Sequence, residues 1–181
     1  MYKDTGEKVM DLHQKLMAPF PVKSISWRVG ATTGDKSKGI ALAYIDARDV
    51  MKRLDDVVGF DNWQDRYPFA GCCEVGINLQ GEWVWKSNGA GETAVEGEKG
   101  QYSDAFKRAA VMWGIGRYLY SIPNSWVPIQ PMGRSHKIVT PPVLPVWATP
   151  EGYAEIMKNS ELAKEQREGL AKIEREPGED G

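Results

Sequence analysis

Cysteine and histidine are almost missing from this chain of 181 residues, which has two of each. The cysteines, Cys72 and Cys73, are adjacent, which excludes an ordinary disulfide between them and offers no spaced zinc ligands. His13 and His136 are remote in sequence and complete no site. No apolar run reaches membrane-spanning length and no basic, apolar, small-residue leader opens the chain. The expectation is therefore a soluble protein, cytoplasmic or nucleoid-associated, with no membrane partner. A large excess of one charge is also absent: the formal net charge is −2, which at first argues against a nucleic-acid partner.

Catalytic patterns are missing too. Gly30–Ser37 approaches a phosphate-binding loop, but Gly34 comes one position early and Asp35 separates it from Lys36. A strand is also expected where that loop needs a helix. No Ser–His–acid set is suggested, and no carboxylate-x-lysine triplet of the kind used by many metal nucleases occurs. Asp55-Asp56 and Glu96/Glu98 have the chemistry to hold a divalent ion, yet charged edges of a helix and a loop are the commoner meaning of such pairs. No cofactor, no metal and no enzymatic activity are expected.

What is present is a core and an uneven charge distribution. At 41% hydrophobic, with seven tryptophans and seven tyrosines, the chain can bury one full domain. Residues 161–181 hold seven acids and four bases. Lys23, Arg28, Lys36 and Lys38, by contrast, stand against Asp35 alone within Lys23–Lys38. Local charge sets the field that a phosphate chain feels, so a near-neutral whole with one basic stripe permits a nucleic-acid partner without requiring one. The domain is expected over 1–158, with a charged tail over 159–181.

The spacing of apolar residues predicts helices over Lys3–Met17 and Ala47–Val58, the second capped by Asp46. A long helix is predicted over Ser103–Tyr120, capped by Ser103 or Asp104 and ended by Pro123. Its apolar stripe runs through Phe106, Ala109, Ala110, Trp113 and Tyr120, as suits a helix lying on a sheet. Lys107 and Arg108 then fall near its first turn, where cations meet the positive end of the helix dipole unless an anion such as phosphate joins them. Strands are predicted at Ile25–Val29 and Ile40–Ile45 around a polar turn, Gly30–Gly39. Arg28 points away from Trp27, and Tyr44 shares a face with Ile40 and Leu42. A meander follows at Trp63–Phe69, Glu74–Leu79 and Glu82–Lys86, then a polar loop, Ser87–Gly100. His136–Thr140 and Val143–Val146 are candidate edge strands among prolines. Thr149-Pro150-Glu151 opens a last helix, Ser160–Glu176 is a solvated or frayed continuation, and Pro177–Gly181 is expected to be disordered. Hairpins with helices on one face make the fold class α+β, an antiparallel sheet packed on a long helix.

Three stretches in this order resemble the Rad52 superfamily of single-strand annealing proteins. Ser24–Val29 with Ala43-Tyr44-Ile45-Asp46 looks like the family's first hairpin. Val57–Trp63 is similar to its helix-to-strand corner, and Ser103–Ala109 with Trp113-Gly114 resembles its long helix. The resemblance spans about two thirds of the chain, Leu12 to Tyr120. It implies a β-β-β-α core whose copies join into a ring or filament, with a single strand lying in an outer groove. Carried over by position, Arg28, Tyr44, Lys107 and Arg108 match DNA-contact positions; Lys36 and Lys38 are added from charge alone. The implied function is ATP-independent binding of single-stranded DNA and annealing of complementary strands in recombination and repair. The implied partners are that DNA, further copies of the chain, and a recombinase or single-strand-binding protein.

Two departures stand out. Val111 occupies the place of a third base, and Arg117 is no simple substitute, since nine residues beyond Arg108 at 100° each puts it on the opposite face. Glu92–Gln101 is also short for the family, which argues against a second, outer DNA path. Alternatives from other classes are an oligomeric scaffold that binds a protein through Ser160–Glu176 and a small metal-dependent nuclease. Trp27, Trp63, Trp83, Trp85 and Trp113 are expected in the core or between subunits, and Trp126 and Trp147 on a neighbouring subunit.

Overall fold

The computed structural model describes residues 3–90 and 98–173. In order these form α1 (Lys3–Met17), β1 (Ser26–Thr32), β2 (Lys38–Tyr44), α2 (Ala47–Val58), β3 (Trp63–Arg66), β4 (Cys72–Leu79) and β5 (Glu82–Gly89). Then come α3 (Glu98–Met112), β6 (Ser125–Met132), β7 (Ser135–Ile138) and α4 (Pro150–Ile173). The described strands make two antiparallel sheets, β1-β2-β6-β7 and β3-β4-β5. The α+β class expected from the alternating pattern holds.

Local chemistry places the helices. Asp46 accepts from the Arg48 amide at 2.8 Å while Asp49 accepts from the Asp46 amide at 3.3 Å, a reciprocal cap that starts α2 at Ala47. Gly59, at φ 91°, ends it. Alternate residues of β4, Cys73, Val75 and Ile77, are fully buried and receive α3 through Phe106, Ala109, Ala110 and Trp113. The Trp113 indole donates to the Val75 carbonyl at 2.9 Å, so its one polar atom is satisfied inside the core. Helix α2 lies beside α3 and β3, and α1 against α2. The other face of the meander carries Trp83 and Trp85, which therefore face away from α3. Arg66 lies 3.9 Å from the Trp85 ring centroid and pairs with Glu74.

The long helix differs from its expected span at both ends. It begins at Glu98, so Ser103 and Asp104 are interior residues and not caps. It stops at Met112 because Gly114 and Gly116 take φ 96° and 69°; a 3-10 turn, Arg117–Ser121, then follows. Pro123 is not the terminator. Lys107 and Arg108 consequently sit in the second half of α3, and the expected first-turn dipole penalty does not apply. Tyr120 leaves the apolar stripe and is 74% exposed. Gly114 also brings the chain against α1, since an added Cβ would lie 2.5 Å from Met17 Cγ. Gly114→Ala should cost about 2 kcal/mol and lower the melting temperature by about 4–8 °C, read by thermal unfolding.

The strands are longer than predicted on the hairpin and shorter at β3, and β6 was not foreseen. Prolines hid it. Strand β6 pairs with β2 through Ser125–Pro128 and with β7 through Ile129–Met132, so its two ends need different neighbours and Pro128 and Pro131 are tolerated. Val143–Val146 forms no strand; a 3-10 turn, Val146–Ala148, lies there instead. Ser87–Gly89 belongs to β5 and Glu98–Gly100 to α3, so the expected loop is shorter, and its residues 91–97 lie outside the described residues. Thr149 Oγ1 accepts from the Gly152 amide at 3.2 Å and starts α4, which continues past Lys158 with residues 159–164 exposed. The expectation for Pro177–Gly181 falls outside the described residues. No described helix is long and apolar enough to cross a membrane.

Candidate nucleic-acid interface

The register of the first hairpin settles which side chains share a face. Trp27 pairs with Ala43 and Val29 with Ala41 on the core side; Ser26 pairs with Tyr44 and Arg28 with Leu42 on the other. Arg28 and Tyr44 are thus diagonal neighbours on the outer face. Arg28 is exposed and has no hydrogen bond or ion pair among the described residues. Tyr44 is 38% exposed, which places it at the surface, not in the core.

From the end of β2, Tyr44 reaches α3: the Lys107 ammonium lies 5.8 Å from its ring centroid, at the outer limit for a cation over an aromatic face. One turn earlier, Asp104 lies 3.9 Å from both Lys107 Nζ and Arg108 Nη1. These are loose pairs, weak enough to yield to another anion; Arg108 is exposed, while Lys107 is half-buried, with 28% of its side chain exposed. Four of the six sequence candidates, Arg28, Tyr44, Lys107 and Arg108, therefore lie along one path from the hairpin to α3.

Lys36 and Lys38 do not join that group. Lys38 opposes Pro128 at the start of β2, six residues from Tyr44 and so about 20 Å away along the strand. Lys36 lies beyond it in the turn, at φ 57°. Asp35 organises this turn by accepting from Thr33 Oγ1 at 2.6 Å and from the Ser37 amide at 3.1 Å. Those bonds, the one from Thr33 first, hold its carboxyl at about 2. A permanent carboxylate thus stands next to Lys36.

Sequence reasoning missed two contributions. Sheet β1-β2-β6-β7 curls until β7 approaches β1, enclosing an open cleft of about 780 Å³. Lys137 and His136 line it opposite Arg28 and Tyr44. The edge strand expected at His136–Thr140 forms at Ser135–Ile138, but its closeness to β1 depends on the unforeseen β6. The second is Arg117. Because α3 ends at Met112, a rotation of 100° per residue does not carry from Arg108 to Arg117, and the two line one pocket with Asn88, Met112 and Tyr120.

The acidic pair weighed as a metal site has other work. Asp55 accepts from the Trp63 indole at 2.7 Å, and Asp56 receives both bonds from Lys52 at 2.8 Å. Among the described residues no group of three or more His, Cys, Asp or Glu is placed to hold a metal ion. Burial, the largest influence, pushes the Cys73 thiol up to about 11, so it is a core residue and not a nucleophile.

The family model described as Rad52/22 family double-strand break repair protein matches residues 8–76 and 70–136. A single-stranded DNA-binding protein DdrA of Deinococcus deserti is 40% identical over 151 residues, covering 80% of this chain and 73% of the relative. The DdrA protein of Deinococcus radiodurans is 35% identical over 149 residues, covering 80% and 70%. The matched stretches contain both the hairpin and α3, and the chain belongs to the Rad52/22 family.

Proposed function

We propose that this protein binds single-stranded DNA and anneals complementary strands in double-strand-break repair, without hydrolysing a nucleotide. The observation that carries the reading is the contact between Tyr44 and Lys107. It joins the outer hairpin face, with its unpaired Arg28, to the cationic side of α3. Family membership and the single-stranded DNA-binding relatives support it.

The chemistry follows from charge placement. Arg28, Lys107 and Arg108 meet phosphates, and Tyr44 offers a ring edge beside them. Gripping the backbone leaves most bases outward to test a second strand, and duplex formation supplies the free energy. One such patch is weak. Copies of the chain joined in a ring repeat it at fixed spacing, and multivalency turns modest sites into a long continuous one. A recombinase or single-strand-binding protein is the protein partner this activity calls for.

The test is a titration of labelled oligothymidylate against the protein over a range of salt, with a strand-annealing assay lacking ATP. Three phosphate contacts per subunit predict a log–log salt slope of about −2 for each subunit engaged. Salt-insensitive or absent binding would instead favour a scaffold that meets a protein through the exposed stretch of α4. Magnesium-dependent strand cleavage would favour a nuclease.

A further inference from the structure

The end of α3 holds more positive charge than capping a helix requires. Gly114 and Gly116 turn the chain back, and Arg117 donates from Nε and Nη2 to the Val111 carbonyl at 3.0 and 2.8 Å and from Nη2 to the Met112 carbonyl at 2.9 Å. From β5, Lys86 donates to the same Met112 carbonyl at 3.1 Å and stands 4.3 Å from the Trp113 ring centroid. Both cations sit at the negative end of the helix dipole, which accounts for that part of the arrangement.

It does not account for Arg108 or Tyr120. The Arg108 side chain is 47% exposed and its closest carboxylate, Asp104, is 3.9 Å away. Its own carbonyl accepts from Asn88 at 3.4 Å, which fixes this part of α3 on β5. Arg117 Nη1 has no partner among the described residues, and the fold-back holds the guanidinium in place. Arg108, Arg117 and the exposed Tyr120 ring border a pocket of about 400 Å³, floored by Val111 and Met112. Like charges are crowded here: burial first, then the neighbouring Arg117, lowers the Lys86 pKa. A bound anion relieves that repulsion.

We infer that this pocket takes one backbone phosphate of the bound strand between Arg108 and Arg117, with the adjoining nucleoside packed on Tyr120. Arg117 thereby supplies, from the turn after α3, the cation that Val111 does not supply from the helix. The inference rests on the DNA-binding reading and adds a site to it. The pocket's donors are pre-organised, because the helix-end carbonyls hold one guanidinium and little of its freedom is lost when an anion arrives.

The experiment uses the full chain with two probes, oligothymidylate and an abasic oligomer of equal length, each titrated across a salt series. Tyr120→Ala alters an exposed side chain and should fold normally. It is expected to weaken oligothymidylate binding at least about fivefold while leaving the abasic oligomer unchanged. Arg117→Gln should weaken both probes and make the log–log salt slope shallower by about 0.7 for each subunit engaged. Its folding is checked by thermal melting. Wild-type affinity and slope in folded Arg117→Gln, or wild-type affinity for oligothymidylate in Tyr120→Ala, overturns the inference. The DNA-binding reading survives that result if replacing Lys107 and Arg108 still weakens binding by more than about tenfold. Absence of oligonucleotide binding by the unaltered chain overturns both.

Discussion

Replacing Lys107 and Arg108 together by alanine should weaken single-strand affinity by more than about tenfold while leaving fold and oligomer intact, because tenfold is about 1.4 kcal/mol and two phosphate contacts are removed at once. Neither residue belongs to the core: the buried residues of α3 are Ala105, Phe106, Ala109 and Ala110. Their only described ion pairs are the 3.9 Å contacts to Asp104, worth little at a surface. Alanine is the strongest helix former, so α3 persists. In the proposed ring the loss would repeat in every subunit, so the expected effect exceeds that of one site. Fluorescence anisotropy with a labelled oligonucleotide measures affinity, and size-exclusion chromatography verifies the oligomer. Unchanged affinity would remove α3 from the interface.

Arg53→Ala should destabilise the fold strongly although the residue lies outside the apolar core. From α2 its guanidinium gathers the end of α1 and the residues after it, donating to the carbonyls of Lys15 at 3.1 Å, Leu16 at 3.2 Å, Ala18 at 2.6 Å and Pro19 at 3.3 Å. It also stacks on Phe20, 4.1 Å from the ring centroid. Burial lowers its pKa, but an arginine so placed stays charged. Alanine strands four carbonyls and removes the stacking. A cost of about 3 kcal/mol follows, hence a fall of about 6–12 °C in melting temperature. Arg53→Lys retains the charge without the fork and should recover only part of it. Calorimetry decides, and a melting temperature within a degree or so of wild type would show that α1 is held by its apolar face alone.

Signals that act within a few residues were legible in the sequence. Helix α2 was placed to its last residue, because Asp46, Asp49 and Gly59 are local instructions. The two faces of the first hairpin followed from alternation, so Arg28 was correctly set apart from Trp27. Tyr44 could not be assigned from alternation alone, since Ile40 and Leu42 on its face are themselves only half-buried. The α3 terminus was misread because Ile115 is buried and prolongs the apolar period after the backbone has stopped being helical. That error also hid Arg117. Lys36 and Lys38 were grouped with Arg28 by distance along the chain, whereas β2 carries them to the far end of the hairpin. Lys137 and His136 reach the Arg28 face only through sheet curvature, which no local pattern encodes.

Imaging the protein bound to oligothymidylate by electron cryo-microscopy, at side-chain resolution, puts the central claim at greatest risk. The account predicts a closed or helical array of subunits with the sugar–phosphate chain crossing Arg28, Tyr44 and Lys107 in every copy and the bases there turned outward. A monomer without bound strand, or a strand seated away from the Tyr44–Lys107 contact, would contradict it.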